Sequence, residues 1–199
     1  MSEPAPPEAA PAKDRRRAMR DRALAAREAL AESERTELTQ RLTAHLAPLL
    51  RELAPRRLAF CWPYRGEPDL RDFVADWLAQ DDSRQAALPR ILAPGAPLAF
   101  LRWRPGDEVV PDAHGIPVPA SMDAIRPDLA LIPVNAFDEQ AYRLGYGGGF
   151  FDRTLAALAP PPVAVGLGFE LARVTTILPE PHDRRMNWIV TENGVMRGA

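Results

Sequence analysis

The chain has 199 residues, 46% of them hydrophobic, which suffices for one compact domain with a substantial core and is too short for two full ones. Its 25 Lys and Arg against 27 Asp and Glu leave a net charge of −2, which excludes a global electrostatic footprint for nucleic acid or anionic membrane and confines any basic site to a local patch. No apolar run approaches the roughly 20 residues of a membrane helix, and the lone Cys61 cannot close an internal disulfide, which favours a reducing cytoplasm.

Residues 1–12 are rich in Pro, Ala and Glu without an apolar h-region, so they read as a disordered tail and not as a signal peptide; a single domain is expected over 13–199. From 13 to 30, Met19, Ala23, Ala26 and Leu30 recur at helical spacing, predicting a helix docked along one stripe. Lys13, Arg17, Arg20 and Arg27 occupy a neighbouring face, and Lys13 and Arg17 are one turn apart, so two cations can converge on one ligand. Ser33 offers an N-cap for a second helix with Leu38, Leu42, Leu46 and Leu49 inward, which Pro48 should kink or end early. Most of the 22 prolines punctuate the rest of the chain into short elements.

After residue 57, β-prone apolar runs alternate with helical ones. Strands are predicted at 58–62, 87–92, 98–103, 129–134, 163–168 and 188–191, and helices at 70–79 and 150–158. This order is that of an α/β sheet, with 129–134 the clearest buried strand.

Between that strand and the next helix lies Arg143-Leu144-Gly145-Tyr146-Gly147-Gly148-Gly149-Phe150-Phe151-Asp152-Arg153. Glycine lets successive backbone N–H groups turn toward an anion without a Cβ in the way, the following helix adds its positive end, and arginines supply planar donor forks. A position just past the carboxyl end of a strand is where open α/β sheets place ligands. The loop lacks the Gly-Lys-Ser/Thr ending of a P-loop, and no acidic ribose-binding residue follows a second strand, so neither common nucleotide fingerprint fits. A plain flexible turn is the bland alternative.

Read as Arg-Leu-Gly-x-Gly-x-Gly-aromatic-aromatic-Asp-Arg, the loop resembles the signature of the 5-formyltetrahydrofolate cyclo-ligase family. The resemblance extends to a Lys-x-x-x-Arg pair on the first helix, Lys13 and Arg17, and to Pro181, His182, Asp183, Val190, Thr191 and Glu192 near the end. It implies a three-layer α/β/α domain with a mainly parallel central sheet and an N-terminal helical segment. It also implies an ATP- and Mg²⁺-dependent closure of 5-formyltetrahydrofolate to 5,10-methenyltetrahydrofolate, releasing ADP and phosphate, in a cytoplasmic enzyme expected to be a monomer without nucleic-acid or membrane partners.

By the same resemblance, Lys13, Arg17 and Arg143 contact the ATP phosphates, and Leu144, Gly145, Tyr146, Gly147, Gly148, Gly149, Phe150 and Phe151 form the nucleotide loop. Arg143 and Asp152 are the catalytic pair. Asp152 and Asp183 stand at metal-ligand positions, and Mg²⁺ usually takes only one or two carboxylates beside phosphate oxygens. Trp62, Glu67, Tyr146 and Phe150 stand at folate-lining positions, although a strand-end Trp equally suits a core; Trp103 reads as packing. The three histidines share no metal-ligand spacing, so zinc is not expected.

Three departures from the family pattern stand out: Phe150-Phe151 where Tyr-Tyr is usual, His114 where an aromatic is common, and Arg16 where a leucine is typical. Lost tyrosine hydroxyls leave open a non-catalytic nucleotide- or folate-binding regulatory protein on the same fold. An RNA-binding module using the basic first helix ranks below both, given the acidic overall balance.

Overall fold

A computed structural model describes residues 11–198. Helix α1 (Ala12–Glu28) is the first described element and already includes Ala12, while residues 1–10 of the tail expected over 1–12 lie outside the described residues. Then come α2 (Glu32–Leu53), β1 (Arg57–Ala59), α3 (Arg71–Ala79), β2 (Gln85–Arg90), β3 (Ala99–Trp103), β4 (Val109–Pro111), β5 (Pro117–Pro119), β6 (Leu129–Pro133), β7 (Ala136–Phe137), β8 (Arg143–Leu144), α4 (Phe150–Ala157), β9 (Val163–Leu167), β10 (Trp188–Thr191) and β11 (Gly194–Arg197).

Seven strands form the central sheet in the order β11-β10-β9-β6-β1-β2-β3. The inner pairs are parallel, and only the edge strands β3 and β11 run antiparallel. One face carries large side chains, among them Leu58, Phe60, Leu88, Leu129, Leu131 and Val165, which pack on Leu42, Leu46, Leu49 and Leu50 of α2 and on Val74 and Trp77 of α3. The other face is small-residued. Ala87, Ala59, Ala130 and Ala164 lie in register across β2, β1, β6 and β9, which lets α4 approach with Phe151 and Leu155. The result is the three-layer α/β/α arrangement expected. Trp103 is buried edge-on against Phe60 at 5.1 Å, a packing role.

Two local expectations fail for physical reasons. Helix α2 runs five residues past Pro48, because the ring sits on the exposed side while four fully sequestered leucines, each worth about 1.5–3 kcal/mol, outweigh one missing backbone hydrogen bond. Ser33 lies inside the helix, whose N-cap is Ala31. The stretch from 135 to 149, expected as loop, contains the β7–β8 hairpin. Its turn is closed by buried Asp138, whose carboxylate accepts the N–H groups of Gln140, Tyr142 and Ile177.

Helix α1 belongs to neither helical layer. It covers the hairpin, with Ala23 packed on Ala136, Leu144 and Ile177, beside the carboxyl ends of the strands. The chain order changes direction between β1 and β6: β2 lies on one side of β1, and β9 on the far side of β6. The loops leaving these two neighbouring strands therefore diverge at a topological switch point, where parallel sheets open a crevice.

Candidate active site

The loop after β6 supplies the glycine run. Gly147 and Gly149 have φ of +96° and +63°, conformations that cost a side-chain-bearing residue, and Gly149 caps α4 in the left-handed region. Arginines hold the loop's carbonyl oxygens. Arg20 donates through Nε to the Gly145 carbonyl at 2.7 Å, and Arg153 donates to that of Gly148 at 2.7 Å. The N–H groups of 145–149, by contrast, donate to no protein acceptor among the described residues. The loop is thus a run of backbone donors without protein acceptors among the described residues, with arginines on two of its carbonyl oxygens.

Helix α1 meets this loop in a different phase from the one expected. Lys13 and Arg17 are exposed, and Arg17, with its side chain 78% exposed, pairs with Asp21 at 3.7 Å and with no other carboxylate among the described residues. Arg16, Arg20 and Arg27 face inward instead. At about 100° per residue they share the stripe of Ala23, whereas Arg17 is rotated about a quarter-turn from its centre. The same four-residue spacing read at Lys13 and Arg17 recurs at Arg16 and Arg20; Arg16 reaches Asp183, and Arg20 lies beside the glycines, its guanidinium within 3.5–3.7 Å of the position a Gly147 Cβ would take. Burial, then Arg16 and Arg17, pull the Arg20 pKa down, although a guanidinium stays charged.

Arg143 and Asp152 come together: Arg143 NH1 donates to Asp152 Oδ1 at 2.9 Å, with the arginine side chain only 4% exposed. The Arg184 N–H donates to the same Oδ1 at 2.9 Å, which leaves Oδ2 without a hydrogen-bond partner among the described residues. Asp183 stands next along the chain, so the two predicted metal carboxylates are neighbours. They are not equivalent. Both oxygens of Asp183 accept from Arg16, at 2.6 and 3.0 Å, and Oδ2 also accepts the Glu180 N–H. Burial pushes Asp183 up, but the Arg16 bonds and the Glu180 amide win and hold it below the usual carboxylate range. Asp183 is therefore a partner of Arg16 in this structure with both oxygens engaged, while Asp152 Oδ2 accepts no hydrogen bond among the described residues.

The loop after β1 forms the opposite wall. Tyr146, 43% exposed at the middle of the glycine run, donates its hydroxyl to Glu67 Oε1 at 2.7 Å and accepts from Arg27 NH2 at 2.8 Å. Its ring leans on Tyr64 at 5.6 Å. Glu67 is buried, and Oε2 accepts the Tyr64 N–H. Trp62 is half-buried, with its ring packed on the core and the Arg71 guanidinium 4.7 Å above it. Phe150 lies under the Arg153 guanidinium at 5.0 Å. Leu144 and Phe151 turn away from the loop into the core, so they anchor it and do not line it.

Comparison with known proteins decides the family. The sequence model of the 5-formyltetrahydrofolate cyclo-ligase family matches residues 12–192. The chain belongs to that family. A 5-formyltetrahydrofolate cyclo-ligase of Haemophilus influenzae is 29% identical over 151 residues, covering 72% of this chain and 79% of the relative. One from Escherichia coli K12 is 30% identical over 137 residues, covering 65% and 73%. Among solved structures, the 5,10-methenyltetrahydrofolate synthetase of Aquifex aeolicus superposes with a TM-score of 0.78 at 25% identity over 92% of each chain. That of Mycoplasma pneumoniae, at 0.73 and 23% identity over 89% of this chain and 98% of its own, supports the cyclo-ligase fold.

Within that family frame, sequence reasoning missed Arg16 as a site residue, Asn135, and the partnership of Arg27 with Tyr146. Asn135 is 2% exposed, and its Oδ1 accepts from Arg27 NH1 at 3.0 Å. The available signal was helical phase: Arg16, Arg20 and Arg27 flank the small Ala23 that must face inward.

Proposed function

We propose that this chain closes 5-formyltetrahydrofolate to 5,10-methenyltetrahydrofolate at the expense of ATP. The observation that carries the reading is the glycine loop, whose N–H groups have no protein acceptor among the described residues, between Asp152 and the Tyr146–Glu67 contact at the switch point. A formamide oxygen is a poor leaving group. Transfer of the γ-phosphoryl to that oxygen forms a P–O bond as the bond to ADP breaks; N10 then attacks the activated carbon, the C–O bond breaks, phosphate departs and N10 gives up its proton. Such chemistry asks a protein for position and charge neutralisation more than for a nucleophile.

Each group has a part suited to its place. The N–H groups of 145–149 and the Arg20 side chain hold the phosphates, and Arg143 fixes Asp152 while adding positive charge beneath the transferring group. Asp152 Oδ2 is the protein oxygen that would hold Mg²⁺, and one open carboxylate beside phosphate oxygens and water suits that ion. When bound, the ion neutralises developing charge on the phosphate oxygens. Asp183 contributes by fixing Arg16. Glu67, Trp62 and the Phe150 ring face the folate.

No helix among the described residues is long and apolar enough to cross a membrane. A cytoplasmic monomer is the form we assign, the single Cys61 supporting a reducing compartment. Mixing the purified protein with 5-formyltetrahydrofolate, ATP and Mg²⁺ should raise the methenyltetrahydrofolate absorbance band. Binding of both ligands without that rise would instead assign the regulatory alternative.

A further inference from the structure

One guanidinium joins every wall of the site. Arg27 is 3% exposed on the inner face of α1. Its Nε donates to the Arg65 carbonyl at 3.0 Å, NH1 to Asn135 Oδ1 at 3.0 Å and more weakly to the Val134 carbonyl at 3.5 Å, and NH2 to the Tyr146 hydroxyl at 2.8 Å. The same NH2 lies 3.9 Å from Glu67 Oε1, the oxygen to which Tyr146 donates. These partners come from the loop after β1, the end of β6 and the glycine run. Burying a cation is costly, and an apolar side chain of similar volume would fill the space more cheaply, so the value of this guanidinium lies in what it holds.

What it holds is a carboxylate with few other supports. Burial pushes the Glu67 pKa up, while Arg27, the Tyr146 hydroxyl and the Tyr64 amide oppose that rise. The remaining neighbour that can ionise, Cys61, is pushed well up by burial and by Glu67 itself and stays a neutral thiol. Arg35 of α2 lies beside Gly66 and points to the Leu30 carbonyl, not to Glu67. Arg27 is thus the cation that faces Glu67 within ion-pair distance.

We propose that Arg27 is a positioning residue for the reaction, holding the Glu67 carboxylate as the acceptor for the N–H groups of the folate ring and tying it through Tyr146 to the nucleotide loop. The inference rests on the cyclo-ligase reading above. A carboxylate offers only acceptors to the paired donors of a pterin edge, whereas a protonated Glu67 would turn an O–H donor against them. Asn135 is the brace of this strut: its Oδ1 aligns the guanidinium, and its buried Nδ2 has no partner among the described residues, so the side chain is kept for the one bond it makes to Arg27.

Calorimetric titration of 5-formyltetrahydrofolate and, separately, of ADP into the wild type, Arg27→Gln and Arg27→Lys near pH 6 and pH 8.5 tests this. The wild-type folate Kd should change less than about threefold between the two. In Arg27→Gln the Glu67 pKa rises further, so the folate Kd should be about tenfold weaker at the lower pH, with ADP affinity within about threefold of wild type. Arg27→Lys keeps the charge and should restore the flat profile. If Arg27→Gln does not melt cooperatively, Asn135→Leu replaces it and should weaken folate binding several-fold with the same pH sense. A folded variant whose folate Kd is unchanged at both pH values, or whose folate and ADP affinities fall equally at both, overturns the proposal. Wild-type protein that binds folate without closing the ring removes the cyclo-ligase reading alone; wild-type protein that binds no folate removes both.

Discussion

Replacing Arg20 by alanine tests which cations of α1 serve the phosphate loop. Arg20 is half-buried, bonds the Gly145 carbonyl at 2.7 Å, and lies within van der Waals reach of Gly147, so its truncation removes both a charge beside the proposed phosphate site and a brace of the loop. A charge-assisted hydrogen bond to an anion contributes about 1.5–3 kcal/mol, which corresponds to a rise in the KM for ATP of about 10- to 150-fold. Arg17 is 78% exposed and already faces Asp21, so Arg17→Ala should cost under about 0.5 kcal/mol, roughly twofold, and Lys13→Ala the same. Arg20→Lys should fall between, because the charge remains while the Nε bond is lost. Initial rates of methenyltetrahydrofolate formation across ATP concentrations would measure all four variants. If Arg17→Ala raised the KM for ATP as much as Arg20→Ala, the helical-phase argument would be wrong.

The same geometry sets three further outcomes. Asp183→Asn breaks the pair with Arg16, whose side chains are 3% and 11% exposed, and should lower stability by about 2–4 kcal/mol, between the exposed and buried limits, read from urea unfolding. Because the folded pKa of Asp183 is depressed, its contribution is present above the unfolded value near 4 and is lost as pH falls through the folded one; the wild-type advantage over Asp183→Asn should therefore shrink in acid. Gly148→Ala places a Cβ 2.7–2.8 Å from the Phe150 ring at the start of α4, so the ring must move; kcat should drop at least tenfold with a melting temperature shift of only a few degrees, and an unaltered kcat would contradict a lining role for Phe150. Asp152→Asn keeps the shape but removes the open carboxylate charge, and should raise the Mg²⁺ concentration for half-maximal rate by tenfold or more, while unchanged Mg²⁺ dependence would reassign the metal oxygen.

Much of this protein was legible along the chain because the relevant physics is local. Apolar runs such as 129–134 and helical stripes such as Leu42, Leu46 and Leu49 report burial on one face, and that burial is what makes a strand or helix stable. The Gly145–Gly149 run announced an anion cradle because only glycine tolerates the positive φ found at Gly147 and Gly149 without a Cβ penalty. Short elements escaped. The β4–β5 ribbon, the β7–β8 hairpin and β11 have two to four residues each, too few for a periodic apolar pattern to register, and the β7–β8 turn is closed by the Asp138 side chain, which leaves no periodic trace.

Spacing and residue type along the chain were enough to set the α/β class and to single out the glycine loop, while the three-layer arrangement was implied by the family resemblance. Which arginines of α1 turn inward was settled by packing in three dimensions, because a rotation of only about 60° about the helix axis exchanges Arg17 for Arg20 while leaving the charge pattern unchanged. Packing likewise commits Asp183 to Arg16 while Asp152 keeps one oxygen open, and it gathers Glu67, Tyr146 and Arg27, distant along the chain, into one buried contact. Those pairings depend on distances through space, and a linear pattern carries none of them.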